Sequence, residues 1–238
     1  MSELRIGLVA EGPTDYEIVQ AALKACLPGA FVMTLLQPET TQPEMGAGWG
    51  GVLKWCHDAR RRHSGPLETD PTLIGFDLLI LHLDADVAEK RYADCGTEVE
   101  SMVQDWSWET LPCVQPCPPA ADTCARLEVV LDRWLGQAGP GERTLYCVPA
   151  QASDTWLAAA VLPSGHALLS GALECKSNVE SMLKQLPKSQ RIKKTVREYR
   201  QHAPTLTAHW PAVKRHCTQA QVFEQAVQSA LAPPPGDQ

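Results

Sequence analysis

The run FDLLILHLDAD at residues 76–86 constrains the fold more than any other stretch of the chain. Leu78 to Leu81 are apolar without a break, and Leu83 follows His82. A continuous run of this kind suits a strand covered on both faces, as in a parallel sheet, rather than one with a wet side. Such a strand needs helices above and below it.

The flanking sequence supplies them. RIGLVA (5–10) reads as a first buried strand, FVMTLLQP (31–38) as a second and RTLYCVPA (143–150) as a fourth. Ile18, Val19, Ala22, Leu23, Cys26 and Leu27 recur at helical spacing. Thr14 and Glu17 have the spacing of a capping box at the start of that helix, and Pro28-Gly29 ends it. Further helices are expected over 52–62, 98–105 and 124–135, and over DTWLAAAVL behind a Ser153 cap. This alternation predicts a doubly wound, mainly parallel α/β sheet over residues 1–162. Residues 163–232 are read as a helical, basic C-terminal extension packed on the sheet, and 233–238 as a disordered tail.

No apolar run approaches the roughly 20 residues that cross a bilayer, and the N-terminus MSELRIGLVAEG has no basic region or long apolar stretch. A cytoplasmic, non-membrane protein is expected. Nine cysteines, an odd number without an export signal, are expected to be reduced thiols. Cys113, Cys117 and Cys124 lack the paired spacing of a zinc site and read as part of a proline-rich loop.

The net charge of −7 speaks against a polyanion partner, but its distribution does not. Nine basic residues against the single acid Glu198 give residues 184–215 a charge of +8, leaving −15 on the rest. Lys188, Arg191, Lys193, Lys194 and Arg197 are the candidate nucleic-acid contacts, with a solvated helical face as the alternative.

Ligands of parallel α/β sheets bind beyond the carboxyl ends of the strands. Two strands are expected to end in acids, the first at Glu11 and the third at Asp84 and Asp86. Side chains two apart in extended chain point the same way, so the two aspartates should project together. Glu11 joins them if the two strands are neighbours. Three carboxylates at one site raise one another's pKa unless a cation neutralises them, and oxygen ligands favour Mg2+ or Mn2+. His82, two residues before Asp84, is read as a core histidine with a supporting role to Asp84 as the alternative. Gly46, Gly48 and Gly51 match G-x-G-x-x-G but lack the strand context and acid of a dinucleotide site, so a phosphate-lining loop is the better reading. Lys90, Arg91 and Lys176 follow acidic positions and are weaker candidates for stabilising phosphate charge.

A strand ending in E-G-x-T-D (Glu11, Gly12, Thr14, Asp15), then a helix, then a strand ending in D-x-D (Asp84, Asp86), resembles the Toprim domain of topoisomerases, primases and OLD-family nucleases. SDTWLAAAV and the basic helical tail resemble stand-alone bacterial Toprim-like proteins, several associated with phage defence. The resemblance implies a metal site at Glu11, Asp84 and Asp86, which also carry catalysis, with Asp15 and Asp154 as further metal candidates. It implies Gly12 in a tight turn that frees the glutamate. The expected function is Mg2+-dependent cleavage of DNA or RNA phosphodiesters. The alternative is a non-catalytic module that binds nucleic acid, a nucleotide or a partner protein. A topoisomerase would need a tyrosine on a further domain, and no P-loop is present, so ATPase chemistry would have to come from a partner protein. Oligomerisation is left open.

Overall fold

Four strands, β1 (Leu4–Val9), β2 (Phe31–Gln37), β3 (Leu78–His82) and β4 (Thr144–Cys147), form one sheet in the order β2-β1-β3-β4. Every neighbouring pair is parallel, with Ile6 opposite Leu78, Val9 opposite Leu81, and His82 opposite Cys147. The computed structural model describes residues 3–39, 45–106, 108 and 110–232, so the tail expected at 233–238 lies outside the described residues.

The uninterrupted apolar run does what its pattern demands. Leu78 and Ile80 point into one hydrophobic core, and Leu79 and Leu81 into a second on the opposite face. The first core is covered by α1 (Pro13–Cys26), α5 (Asp154–Val161), α6 (Val179–Gln185), α7 (Val196–Ala208), α8 (Trp210–His216) and α9 (Thr218–Ala230). The second is covered by α2 (Gly48–Arg62), α3 (Thr97–Trp106) and α4 (Ala121–Leu135). The chain is an α/β protein with helices on both faces of a parallel sheet.

The C-terminal helices pack into the first core. Trp156 of α5 is fully buried, meets Trp210 of α8 edge-on at 5.3 Å between ring centroids, and lies 5.6 Å from Phe223 of α9. Aromatic pairs of this geometry add about 0.5–1.5 kcal/mol beyond the apolar area they bury. On α7, Arg200 donates twice to Glu17 of α1, at 3.0 and 2.7 Å, and Thr207 donates to the Ala21 carbonyl.

Several local expectations are corrected. β3 ends at His82, so Asp84 and Asp86 do not share a strand face; Asp84 is extended and Asp86 lies in a 3-10 turn, Ala85–Glu89. Helix α1 begins at Pro13 without a side-chain cap, so Thr14 and Glu17 form no capping box. Ser153 precedes α5, but its hydroxyl turns away from the helix to Asp15. Gly12 is extended at φ −160°, a conformation open to any residue, so no tight turn explains it. Glycine is required at Gly48, where φ is +70°; its N–H donates to the Glu11 carbonyl at 2.7 Å and seats the start of α2 over the end of β1. Cys117 and Cys175 are joined in a disulfide, contrary to the expectation of reduced thiols.

Candidate metal centre

The strand order reverses direction at β1, which has β2 on one side and β3 on the other. That switch point is where parallel sheets open a crevice. Glu11 and Asp84 follow the two strands that flank it. One donor atom from each of Glu11, His82 and Asp84 lies within 4.8 Å of the others. Backbone groups fix the arrangement: Asp84 N–H donates to Glu11 Oε1 at 2.8 Å, and Ser153 N–H donates to Asp84 Oδ1 at 2.9 Å. His82 Nε2 stands 3.3 Å from Asp84 Oδ1, yet neither ring nitrogen of this buried histidine is aligned for a hydrogen bond. Ser153 Oγ donates to Asp15 Oδ1 at 2.7 Å, so one residue holds two of the acids.

Electrostatics mark the cluster. Burial, then the neighbouring Asp84, pushes the Glu11 carboxyl well above its usual range. Burial raises Asp84 to about 6, with Asp15 adding to the effect and His82 opposing it. Burial alone would lower His82, but Asp15, Asp84 and Glu11 outweigh it and raise the imidazole to about 9. The acids are thus short of positive charge, and His82 supplies part of it.

Beside this cluster lies a cavity of about 280 Å³, which Asp84 shares with Asp86, Asp154, Glu180 and Lys194. Asp154 is buried and accepts from Tyr199 Oη and, at 3.1 Å, from Lys194 Nζ. Lys194 also lies 3.8 Å from Glu180. Burial would lower the Lys194 ammonium, but Asp154, Asp84 and Asp15 outweigh it and raise its pKa.

The predicted acids therefore divide. Glu11 and Asp84 come together, Asp86 and Asp154 line the cavity with Asp84, and Asp15 is buried and held by Ser153. Asp86 is half-exposed and pairs with Lys90 at 3.9 Å. Lys176 is not available to a phosphate, because its ammonium is held by the carbonyls of Leu168 at 2.8 Å and Ser170 at 2.7 Å. Among the basic candidates, Lys194 lies in the acidic cavity rather than on an outer rail. Lys188, Arg191, Lys193 and Arg197 are exposed. Arg191 and Lys193, with Lys184, line a surface depression that meets the cavity at Ser181.

Ser153, Tyr199 and the inward turn of Lys194 escaped the sequence. Ser153 is separated from its partner Asp15 by 138 residues, and Tyr199 from Asp154 by 45. No local pattern signals such a pairing. His82 did carry one, its two-residue spacing from Asp84 at the end of an apolar strand. Compared with protein-family models, with curated proteins and with solved structures, the chain matches none.

Proposed function

We propose that the chain is a Toprim-like, metal-dependent phosphodiester hydrolase acting on DNA or RNA. The observation that carries this reading is the meeting of Glu11 and Asp84 at the switch point of a parallel sheet, beside a cavity lined by further acids and one lysine. The residues fit a divalent cation. Glu11 Oε2 and Asp84 Oδ2 receive no hydrogen bond among the described residues, which leaves each carboxylate one oxygen to give. Two carboxylates suit Mg2+ or Mn2+; the adjacent imidazole is a donor that Mg2+ uses little and is better read as a positive charge beside Asp84.

A bound cation would neutralise phosphate charge and lower the pKa of water. The chain's own groups do the rest. Backbone N–H bonds keep Glu11 and Asp84 in place without side-chain freedom. Lys194 offers the cavity a fixed positive charge, and the exposed Lys188, Arg191, Lys193 and Arg197 offer the polymer backbone sequence-independent attraction.

A second reading has its own support. His82 and Lys194 already offset much of the acidic charge, as they would in a module that binds nucleic acid or a partner protein without cutting. Labelled single- and double-stranded DNA and RNA, incubated with Mg2+, Mn2+ or a chelator, separate the two. Cleavage that needs the cation and is lost in Glu11→Gln and Asp84→Asn supports the hydrolase. Binding without cleavage under every condition favours the module.

A further inference from the structure

The acidic cavity has two walls from distant parts of the chain. One is the turn after β3, with Asp86, Glu89 and Lys90. Its Ala88 carbonyl accepts the N–H of Cys113 at 2.8 Å, which ties this wall to the proline-rich loop ahead of α4. The other wall runs from Lys176 to Ser181 and begins directly after Cys175. Gln151, also lining the cavity, donates to the carbonyl of Glu174 at 3.3 Å. The Cys117–Cys175 disulfide, across 58 residues of sequence, therefore joins the loop tied to the first wall to the turn that starts the second. Both cysteines are half-buried, within reach of a small reductant, whereas Cys56, Cys124, Cys147 and Cys217 are buried.

We propose that Cys117–Cys175 is a reversible staple that sets how far the acidic cavity opens, and so regulates the site read above as the hydrolytic centre. A dithiol reductant supplies the chemistry. One of its thiolates attacks a protein sulfur and breaks the S–S bond, giving a mixed disulfide; its second thiol displaces the remaining protein sulfur. The reductant leaves as a disulfide, its two protons and two electrons now on Cys117 and Cys175 as thiols. Loss of the bridge releases the proline-rich loop from the 173–176 turn and lets the two walls separate. The inference that reduction alters the cavity does not need cleavage to be observed; its regulatory meaning rests on the proposed function.

Hydrogen exchange on the full chain tests it. Protein oxidised in air and protein treated with a dithiol are compared, with intact mass after thiol alkylation and peptide mapping reporting the bridge. Peptides covering 111–120 and 173–181 are expected to exchange several-fold faster after reduction, while those from β1 and β3 stay unchanged. The double variant Cys117→Ser/Cys175→Ser should match the reduced protein with or without dithiol. Failure of the two cysteines to pair under oxidising conditions, or equal exchange in both states, overturns the staple. Cleavage of a labelled oligonucleotide on the same samples separates the two ideas. Altered exchange with no cleavage in either state counts against the hydrolase and supports the staple, whereas equal cleavage in both states overturns the regulation.

Discussion

Substituting Ser153 by Ala isolates one hydrogen bond at the centre of the acid cluster. Ser153 is fully buried, Asp15 is 2% exposed, and the 2.7 Å bond between them is the one hydrogen bond to the Asp15 side chain among the described residues. Its loss leaves a buried carboxyl without a donor. Hydrogen bonds to carboxylates contribute about 1.5–3 kcal/mol, so a cost of about 2 kcal/mol is expected. For a chain of this size that lowers Tm by about 4–8 °C. The assay is urea unfolding in chelator of wild type, Ser153→Ala, Asp15→Ala and the double variant, with m checked for constancy. Because the two side chains share one bond, the double variant should be less destabilised than the sum of the singles, by about 1–2 kcal/mol. Additivity within about 0.5 kcal/mol would refute the bond as a stabilising link. Asp84 is held by the backbone N–H of residue 153 rather than its hydroxyl, so cation-dependent cleavage is expected to survive in Ser153→Ala.

Other perturbations test different parts of the molecule. Glu68 is buried and accepts Gly141 N–H and Arg143 N–H, each at 3.1 Å, and Thr144 Oγ1 at 2.6 Å. Burial would raise its carboxyl, but these donors hold it below the usual range, so its stabilisation is present at neutral pH and is lost as pH falls through the depressed folded value. Glu68→Gln should therefore cost about 1–3 kcal/mol in neutral urea melts, with the gap to wild type closing in acid. Trp210→Ala, at a residue 2% exposed against Trp156, should cost about 3–5 kcal/mol by the same measurement. Cys117→Ser should lower the stability of oxidised protein by about 4 kcal/mol from loop-closure entropy. The bridge spans 58 residues, and reduced wild type should show no such difference from the variant.

What the sequence made legible was whatever depended on short-range pattern. Leu78 to Leu81 announced a two-faced buried strand because hydrophobic alternation is absent there, and the parallel sheet follows from that run. The pairing of Glu11 with Asp84 followed from the adjacency of β1 and β3. The step from Asp84 to Asp86 failed for a physical reason: the strand stops at His82, and a period of two has no meaning in a 3-10 turn. Charge counting over 184–215 left a polyanion-binding surface and a solvated helical face as alternatives. Three of its cations instead meet acids, Lys194 at Asp154, Arg200 at Glu17 and Lys214 at Glu224. Those pairings depend on tertiary packing, which composition does not encode.

The seating of α7 along α1 has a consequence for biosynthesis. Arg200 and its partner Glu17 lie 183 residues apart, and synthesis at about 5–20 residues per second separates their appearance by roughly 10–40 s. Through that interval the apolar side of α1 has no cover from α7, and Asp154, once made, awaits Lys194 and Tyr199 for a further 40 and 45 residues. A nascent chain therefore displays Asp154 before the groups that order and neutralise it. The acidic cavity is therefore completed only when the 194–199 segment has been made, so its last groups to appear are the lysine and tyrosine that hold Asp154.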